Sequence, residues 1–273
     1  MVQLVAYAFT DVLVLLALSF DRLSDVLISL FFLVSLSVSL RPADSLHAFG
    51  HTRVQNVAAL VVSGILILFL SLETFREAIT ELLDPSLVET SDLDIAAAVT
   101  VLSMIAIAVP MVALKMGGRE GVFRSQLINL VLDEFSCGIS LVAIALTAGG
   151  HGLASPAGSM VVGAAILLTG LLLFRENAAI LVGQAPSGEL EDRLLDIALS
   201  VKGVKGVHGL RAEMVGPDTV HADLHIEIAP ETTVAAADII AEEVRERIED
   251  ATNCRYCEVH MDPYRPDGPG ADR

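Results

Sequence analysis

The stretch from Val12 to Leu40 constrains the fold most, because it is almost entirely apolar and yet carries three charged residues near its middle. About 20 apolar residues are enough to cross a bilayer, so this stretch is long enough to span one with tilt. Its charged residues are Asp21, Arg22 and Asp25. Carboxylates at bilayer depth are costly unless they face a partner, water or an ion. The sequence therefore predicts a membrane helix with a polar site inside it.

Asp21 and Asp25 are four residues apart and therefore share one face of a helix, about one turn from each other. Two like charges on one face repel, and a bound cation is the simplest compensation. The alternative is a polar turn near a helix end, in which Arg22 pairs with one of the aspartates.

Hydropathy extends this interpretation to most of the chain. Of its 273 residues, 53% are hydrophobic, and the mean hydropathy of +0.65 is rare in soluble domains. Five full transmembrane helices are predicted, at about residues 12–40, 54–72, 95–114, 125–147 and 159–183. Residues 1–9 are apolar but too short to span. Basic residues concentrate in two alternate loops, which places these loops and the C-terminal region in the cytoplasm. They are Arg41, Arg53, Lys115, Arg119 and Arg124.

The C-terminal region reads as a soluble α/β domain. Residues 189–201 and 232–251 have helical spacing, while 207–215, 219–228 and 256–261 read as strands, which predicts helices on one face of a small sheet. From Glu189 onward there are 19 acidic and nine basic residues, within a net charge of −17 for the whole chain. This balance argues against a nucleic-acid partner and suits a domain that meets cations, although an acidic surface kept for solubility is an equal alternative.

The predicted domains are therefore a transmembrane domain over residues 1–184, a cytoplasmic domain over 185–263 and a disordered tail over 264–273. The lipid bilayer is the expected partner of the first domain.

A second polar pair lies in the predicted helix 125–147. Asp133 and Cys137 are also four apart, so two helices each offering such a pair could make a four-ligand metal site. Cys137 could instead pack as a small buried hydrophobic residue. Glu134 lies to the side of this face.

Two further groups have ligand chemistry. The loop residues Asp44, His47 and His51 offer a carboxylate and two imidazoles, which suit zinc or a similar divalent ion; an exposed polar turn is the alternative. Cys254 and Cys257 have the spacing of metal-binding cysteines, and a pair of thiols flanking a strand is the alternative. The three cysteines of the chain do not form a disulfide framework.

Three sequence runs resemble the cation diffusion facilitator family. They are Ser24-Asp25, the loop from Pro42-Ala43-Asp44 to Phe49-Gly50-His51, and the tail from Gly206-Val207-His208 through His225 to His260-Met261-Asp262-Pro263. The resemblance covers about residues 9–263. It implies a homodimeric metal/proton antiporter with six membrane helices and a ferredoxin-like cytoplasmic domain. Since the family has a further helix before Thr10, either this chain has five helices or its start site is placed too late.

The resemblance also implies the ligands. Matching positions give Asp21, Asp25, Asp133 and Cys137 for the transport site. For the cytoplasmic domain they give His208, His225, Asp238, His260 and Asp262. His221 precedes His225 by four and shares its strand face. The three carboxylates favour harder ions such as Mn²⁺ or Fe²⁺, whereas the thiolate favours Zn²⁺ or Cd²⁺.

The sequence thus predicts a secondary transporter in the plasma membrane that exports Zn²⁺, Mn²⁺, Fe²⁺, Co²⁺ or Cd²⁺ in exchange for protons. An enzyme is not expected, because no nucleophile and base occur together. The alternative is a homologue impaired in transport that acts as a dimeric metal sensor or scaffold.

Overall fold

The computed structural model describes residues 2–88, 92–116 and 122–265, with the side chains of 110–111, 113–116 and 122–129 left out. Half of the predicted basic loop 115–124 lies outside the described residues, as do all three of its basic side chains. Of the tail predicted to be disordered, residues 266–273 are likewise outside them. Within the described part, Tyr264 donates its backbone N–H to the carbonyl of Ile228, at 2.7 Å.

Helices dominate the first two thirds of the chain. A short helix, α1 (Val2–Thr10), precedes five longer helical stretches. The first is α2 (Leu13–Ser39). The second consists of α3 (Val54–Ile65), a π-helical turn (Leu66–Ser71) and α4 (Leu72–Leu83), and it is followed by α5 (Leu93–Met116), α6 (Val122–Ala148) and α7 (Ala154–Leu181). Among the described residues, three stretches have the length and composition to cross a membrane: Val54–Leu83, Leu130–Ala148 and Ala154–Leu181.

Among the membrane helices, two predicted boundaries differ most from the structure. The helix predicted to end near residue 72 continues to Leu83, because the acidic run after it forms an amphipathic helix in which Arg76 pairs with Glu73 at 2.7 Å. The helix predicted to begin at 159 begins at Ala154. Pro156 lies in its first turn, where the missing N–H of proline costs no helical hydrogen bond.

The described chain divides into two compact units. Unit 1 comprises Met1–Phe31 and Val61–Phe174, and unit 2 comprises Phe32–Leu60 and Arg175–Arg273. Unit 1 holds its helices together through close approaches at small residues, as membrane helices commonly do. A methyl group on Gly158 of α7 would lie 2.7 Å from the Cβ of Ala143 on α6, and one on Gly163 would lie 2.9 Å from Thr74 on α4.

The C-terminal part of unit 2 is an α/β layer. It contains α8 (Gly188–Ser200), β1 (Val204–Gly216), β2 (Thr219–Ile228), α9 (Val234–Ala251) and β3 (Cys254–Pro263). The sheet order is β1-β2-β3, with β1 and β2 antiparallel and β2 and β3 parallel. The start predicted for α9, at residue 232, was two residues early, because Thr233 caps the helix by accepting a hydrogen bond from the N–H of Ala236.

Alternation along β2 separates the two faces of the sheet. Val220, Ala222, Leu224, Ile226 and Ile228 are buried against α8 and α9, in a core whose members all come from this domain. Each large side chain buried there contributes about 1.5–3 kcal/mol. The intervening residues face the open side of the sheet and include His221, Asp223 and His225. The core pattern therefore also determines which polar residues lie together on the open face.

Candidate metal sites

The four residues predicted for the transport site come from two helices of unit 1. Asp21 and Asp25 lie on α2, and Asp133 and Cys137 lie on α6. The side chains of Asp21 and Asp133 are 15% and 19% exposed, that of Asp25 is 51% exposed, and Cys137 is fully buried. The structure thus brings these four residues, called the quartet below, together around one point. Asp25 is the most exposed of them.

The guanidinium of Arg22 occupies that point. Its Nη1 lies 2.7 Å from Oδ1 of Asp133 and 3.4 Å from Oδ2 of Asp25. Its Nη2 lies 3.6 Å from Oδ2 of Asp21, and it donates to the backbone carbonyl of Asp133 at 3.1 Å and to the Cys137 sulfur at 3.6 Å. The alternative in which Arg22 pairs with one aspartate therefore describes only part of its contacts, because the guanidinium contacts all four predicted ligands.

The four residues of the quartet therefore surround the side chain of Arg22. Within residues 2–88, 92–116 and 122–265, two other groups of three ligating side chains have their ligand atoms within 4.8 Å of one another, and the quartet is not among them. One carboxylate oxygen of Asp21 is buried without a hydrogen bond, and so is one of Glu134. Glu134 lies on the same helix turn as Asp133 and adds a further acidic group near the quartet.

The loop between α2 and α3 forms the first of the two groups. Oδ1 of Asp44 lies 3.0 Å from Nδ1 of His47, and Oδ2 lies 3.5 Å from Nε2 of His51. The two imidazole rings are 4.1 Å apart between centroids. Backbone N–H groups of Leu46 and His47 donate to the Asp44 carboxylate, at 2.9 and 2.8 Å, and these bonds together with His47 lower the pKa of Asp44. The three predicted loop ligands therefore share one small space.

The loop is held against the cytoplasmic α/β layer, within unit 2. The ring of Phe49 lies 4.8 Å from that of His221 and 5.1 Å from that of Tyr256. Thr52 donates to the carbonyl of Val215 at 2.5 Å, and Arg53 pairs with Glu213 at 3.2 Å. Gly50 adopts a positive φ of 72°, which lets the chain turn between Phe49 and His51.

The second group lies on the open face of the sheet. Strand register places His208 of β1 opposite His225 of β2, and His225 beside His260 of β3, so that three imidazoles form a row across the sheet. Ring centroids are 5.1 Å apart for His208 and His225, and 4.9 Å apart for His225 and His260. Asp262, two residues beyond His260, points to the same face.

One oxygen of Asp262 joins this row. Its Oδ2 lies 2.8 Å from Nδ1 of His225 and 3.5 Å from Nε2 of His208. Nδ1 of His208 is buried without a hydrogen-bond partner. His208, His225 and Asp262 therefore offer two imidazoles and a carboxylate within 4.8 Å, a donor set that suits a divalent ion.

Two predicted ligands of the cytoplasmic domain lie outside that group of three. His260 stacks on His225 and is exposed, while Asp238 is exposed on α9. His221 shares the open face, as predicted, but its Nε2 lies 3.2 Å from Oδ1 of Asp223.

Cys254 and Cys257 belong to the hydrophobic core rather than to the open face. The pairing of β3 slips by one residue between Cys254 and Tyr256, and this bulge turns both cysteines inward, whereas His260 is exposed. Burial and a hydrogen bond from its thiol to Cys254 raise the pKa of Cys257, with the hydrogen bond as the larger cause. The structure favours the alternative of strand thiols over a metal-binding pair.

Sequence reasoning missed the central position of Arg22 and the contacts of Phe49. The signal for Arg22 was its place between the two aspartates, which puts its long side chain within reach of a neighbouring helix. The signal for Phe49 was a large apolar side chain in an otherwise polar loop.

Comparison with known families assigns both parts of the chain. The profile described as the cation efflux transmembrane domain matches residues 1–182, and the profile described as the cation efflux protein, cytoplasmic domain, matches residues 186–264. The chain belongs to the cation diffusion facilitator family. As a family member it is a cation efflux transporter, with a helical transmembrane domain followed by a cytoplasmic domain built on a small sheet. The predicted family and fold class are confirmed, and so is the prediction that the chain is a transporter.

Two cation-efflux pumps agree with this assignment. The cation-efflux pump FieF of Serratia proteamaculans is 28% identical over 267 residues, which cover 96% of this chain and 87% of that protein. FieF of Cronobacter sakazakii is 30% identical over 265 residues, with the same coverage. Among solved structures, a MamM CTD in its cadmium form is 29% identical, covers 29% of this chain and 98% of that chain, and has a TM-score of 0.28.

Proposed function

We propose that this family member exports a divalent metal cation across the plasma membrane in exchange for protons. The observation that supports this most is the convergence of Asp21, Asp25, Asp133 and Cys137 around one cation-filled point between α2 and α6. Carboxylates at membrane depth are characteristic of ion pathways, because their cost is accepted only where they act. These four side chains are the proposed transport ligands.

Proton exchange follows from the chemistry of the ligands. Carboxylates and a thiol bind metal only after losing their protons, so metal and protons compete for the same atoms. A site that opens alternately to the two sides would load metal from the cytoplasm and release it where protons displace it. Such alternating access about a site inside the membrane is the common logic of secondary transporters.

The ligand set limits the cargo. Three carboxylates favour Mn²⁺ or Fe²⁺, and one thiolate favours Zn²⁺ or Cd²⁺. The cation-efflux pumps to which the chain is similar support a metal cation as cargo. We propose a site of mixed preference in which Cys137 sets the tolerance for soft ions.

The two cytoplasmic groups are proposed as accessory metal sites. Asp44, His47 and His51 would take metal beside the membrane. His208, His225 and Asp262 would take it on the sheet, with His260 and Asp238 as further predicted ligands. Because the loop packs on the sheet through Phe49, metal at either group would stiffen the same part of unit 2. The cytoplasmic domain is also the proposed dimer contact.

Transport in proteoliposomes tests this function. With a pH gradient across the bilayer, the parent chain should move at least one of Zn²⁺, Mn²⁺, Fe²⁺, Co²⁺ and Cd²⁺, and collapsing the gradient should slow it. Asp25→Asn should abolish uptake, because one of only four ligands loses its charge. Asp94→Asn, at an exposed position in the first turn of α5, is the matched control and should transport like the parent.

The second candidate is a dimeric metal sensor or scaffold that does not transport. The presence of the Arg22 guanidinium among the quartet favours it, since a cation already fills the site. This candidate predicts metal binding by the cytoplasmic groups without uptake of any of the five ions. Uptake that Asp25→Asn abolishes would exclude it.

A further inference from the structure

A single guanidinium satisfies the whole predicted transport site. Arg22 contacts side-chain atoms of all four proposed ligands at 2.7–3.6 Å, and its own side chain is only 17% exposed. It also donates to the backbone of α6 at Asp133, so it bridges the two helices that supply the ligands. No residue of the site could bind a metal ion at the same point while the guanidinium remains there.

We propose that Arg22 is the resident cation of the empty transport site, and that a divalent ion binds only when the guanidinium withdraws. This inference rests on the proposed function, because it concerns the same four ligands. Arg22 is thus a specificity-determining residue: it competes with every cargo ion and sets how tightly the site holds it.

Charge explains why such a residue is useful. Three carboxylates at membrane depth carry three formal negative charges, and an arginine side chain remains charged under all ordinary conditions. With Arg22 in place the empty site retains a net formal charge of −2. When Arg22 stays near the site after a divalent ion enters, the three carboxylates, the Cys137 thiolate, the guanidinium and the ion sum to −1. Both states are therefore cheaper in the membrane than bare carboxylates.

Geometry explains why the two cations exclude each other. Metal–oxygen and metal–sulfur bonds are about 2.0–2.3 Å long, whereas the guanidinium holds its partners at hydrogen-bond and ion-pair distances. The ligands must close in by about an ångström or more after it leaves. Arg22 follows Asp21 directly on α2, so its flexible side chain can swing out while the helix keeps Asp21 and Asp25 in place. Asp25, half exposed, is where an incoming ion first meets the site.

Competition also assists release. A transport site must let its ion go, and a tethered guanidinium returning to the carboxylates lowers the affinity for the ion without any change in the ligands. The strength of this competition can be measured as the change in metal affinity when Arg22 is replaced.

Cobalt binding to the full chain in detergent micelles tests the proposal. A cysteine sulfur bound to Co²⁺ gives a thiolate-to-cobalt absorption band. Neither cytoplasmic three-residue group contains cysteine, and Cys254 and Cys257 are buried in the core of the cytoplasmic domain, so a band that depends on Cys137 reports the quartet. Arg22→Gln should develop this band at about tenfold lower free Co²⁺ than the parent, a change of about 1.4 kcal/mol. Arg22→Lys should bind Co²⁺ more tightly than the parent as well, because a single ammonium cannot contact all four ligands at once. Arg22→Gln combined with Cys137→Ser should show no band.

Two controls separate competition from altered folding. Arg76→Gln removes an arginine that pairs with Glu73 and Glu77 away from the quartet, and should leave the cobalt midpoint unchanged. Free guanidinium at concentrations below those that unfold the parent should weaken Co²⁺ binding by Arg22→Gln more than by the parent. If Arg22→Gln folds only with metal present, that result also supports the proposal, and Arg22→Lys then supplies the midpoint.

The outcomes distinguish this inference from the proposed function. Equal cobalt midpoints for the parent, Arg22→Gln and Arg22→Lys would overturn the inference, while uptake by the parent would leave the function standing. A band in Arg22→Gln but neither binding nor uptake by the parent would support the inference and overturn export. Absence of a Cys137-dependent band in every variant would overturn both the inference and the four-ligand site.

Discussion

Asp262→Asn is the sharpest test of the metal group on the sheet. The substitution keeps the size of the side chain but removes the charge from the oxygen that lies 2.8 Å from His225 and 3.5 Å from His208. Without metal, the amide oxygen can still accept a hydrogen bond from His225. Because Asp262 is about 43% exposed, its loss of charge should change the stability of the metal-free domain by less than about 1 kcal/mol.

The effect on metal binding should be much larger. Structural zinc sites with four ligands have apparent binding free energies of about 10–16 kcal/mol, or at least about 2.5 kcal/mol per ligand, which is about 70-fold in Kd. At a metal concentration of about 100 Kd, binding stabilises the parent by about 2.7 kcal/mol, and the variant at the same concentration by only about 0.5 kcal/mol. For a domain of this size, the metal-induced rise in Tm should fall from about 11–22 °C to about 2–4 °C.

Thermal unfolding of a fragment spanning residues 186–265, which contains its own core, with and without Zn²⁺ measures this difference. Asp223→Asn is the matched control, since Asp223 lies on the same face with the same 43% exposure but outside the group of three. Asp238→Asn tests the remaining predicted ligand. A rise in Tm that is the same for Asp262→Asn and the parent would refute the assignment of Asp262 as a ligand.

Three further predictions concern the architecture. Leu224→Ala in β2, where Leu224 is fully buried, should destabilise the 186–265 fragment by about 2–5 kcal/mol in urea unfolding, whereas Leu199→Ala at a half-exposed position should cost far less; equal losses would contradict the assigned core. Cys254 and Cys257 should react with a thiol reagent only after unfolding, because both are buried and the pKa of Cys257 is raised; rapid labelling of the native fragment would show them accessible. Gly216→Ala should release the loop, because its new Cβ would lie 2.6 Å from the Cβ of Thr52, so trypsin should cut faster after Arg53 than in Gly188→Ala, where the added methyl meets open space.

Much of the fold follows from short-range patterns in the sequence. The alternation over residues 219–228 predicted β2 to the residue, because a sheet covered on one face must alternate. Helix ends were less predictable: the acidic run beginning at Glu73 looked like an exit from the membrane, although its charges pair along one side of a continuing helix. The first two residues of β3 were also missed, because the bulge that turns Cys254 inward depends on the pairing of Cys254 with Val220.

The candidate sites likewise differ in how far the sequence could predict them. Asp44, His47 and His51 follow one another at intervals of three and four residues, and this spacing was enough to predict that they could share one ion. The central position of Arg22 depends on how α2 and α6 approach each other, and sequence spacing along one helix carries no information about a second. His260 and Asp238 lie outside the groups of three ligating side chains that the structure brings together, so their assignment still rests on the family resemblance.

The row of His208, His225 and His260 has a consequence for how this domain can change. The row exists because three strands agree in register, and the same alternation that exposes His225 buries Leu224 and Ile226. Inserting or deleting one residue in β2 would turn the histidine inward and the apolar side chains outward, so the domain would lose its core and its imidazole row in one step. This strand can therefore accept many substitutions on its open face, but it has no freedom in length.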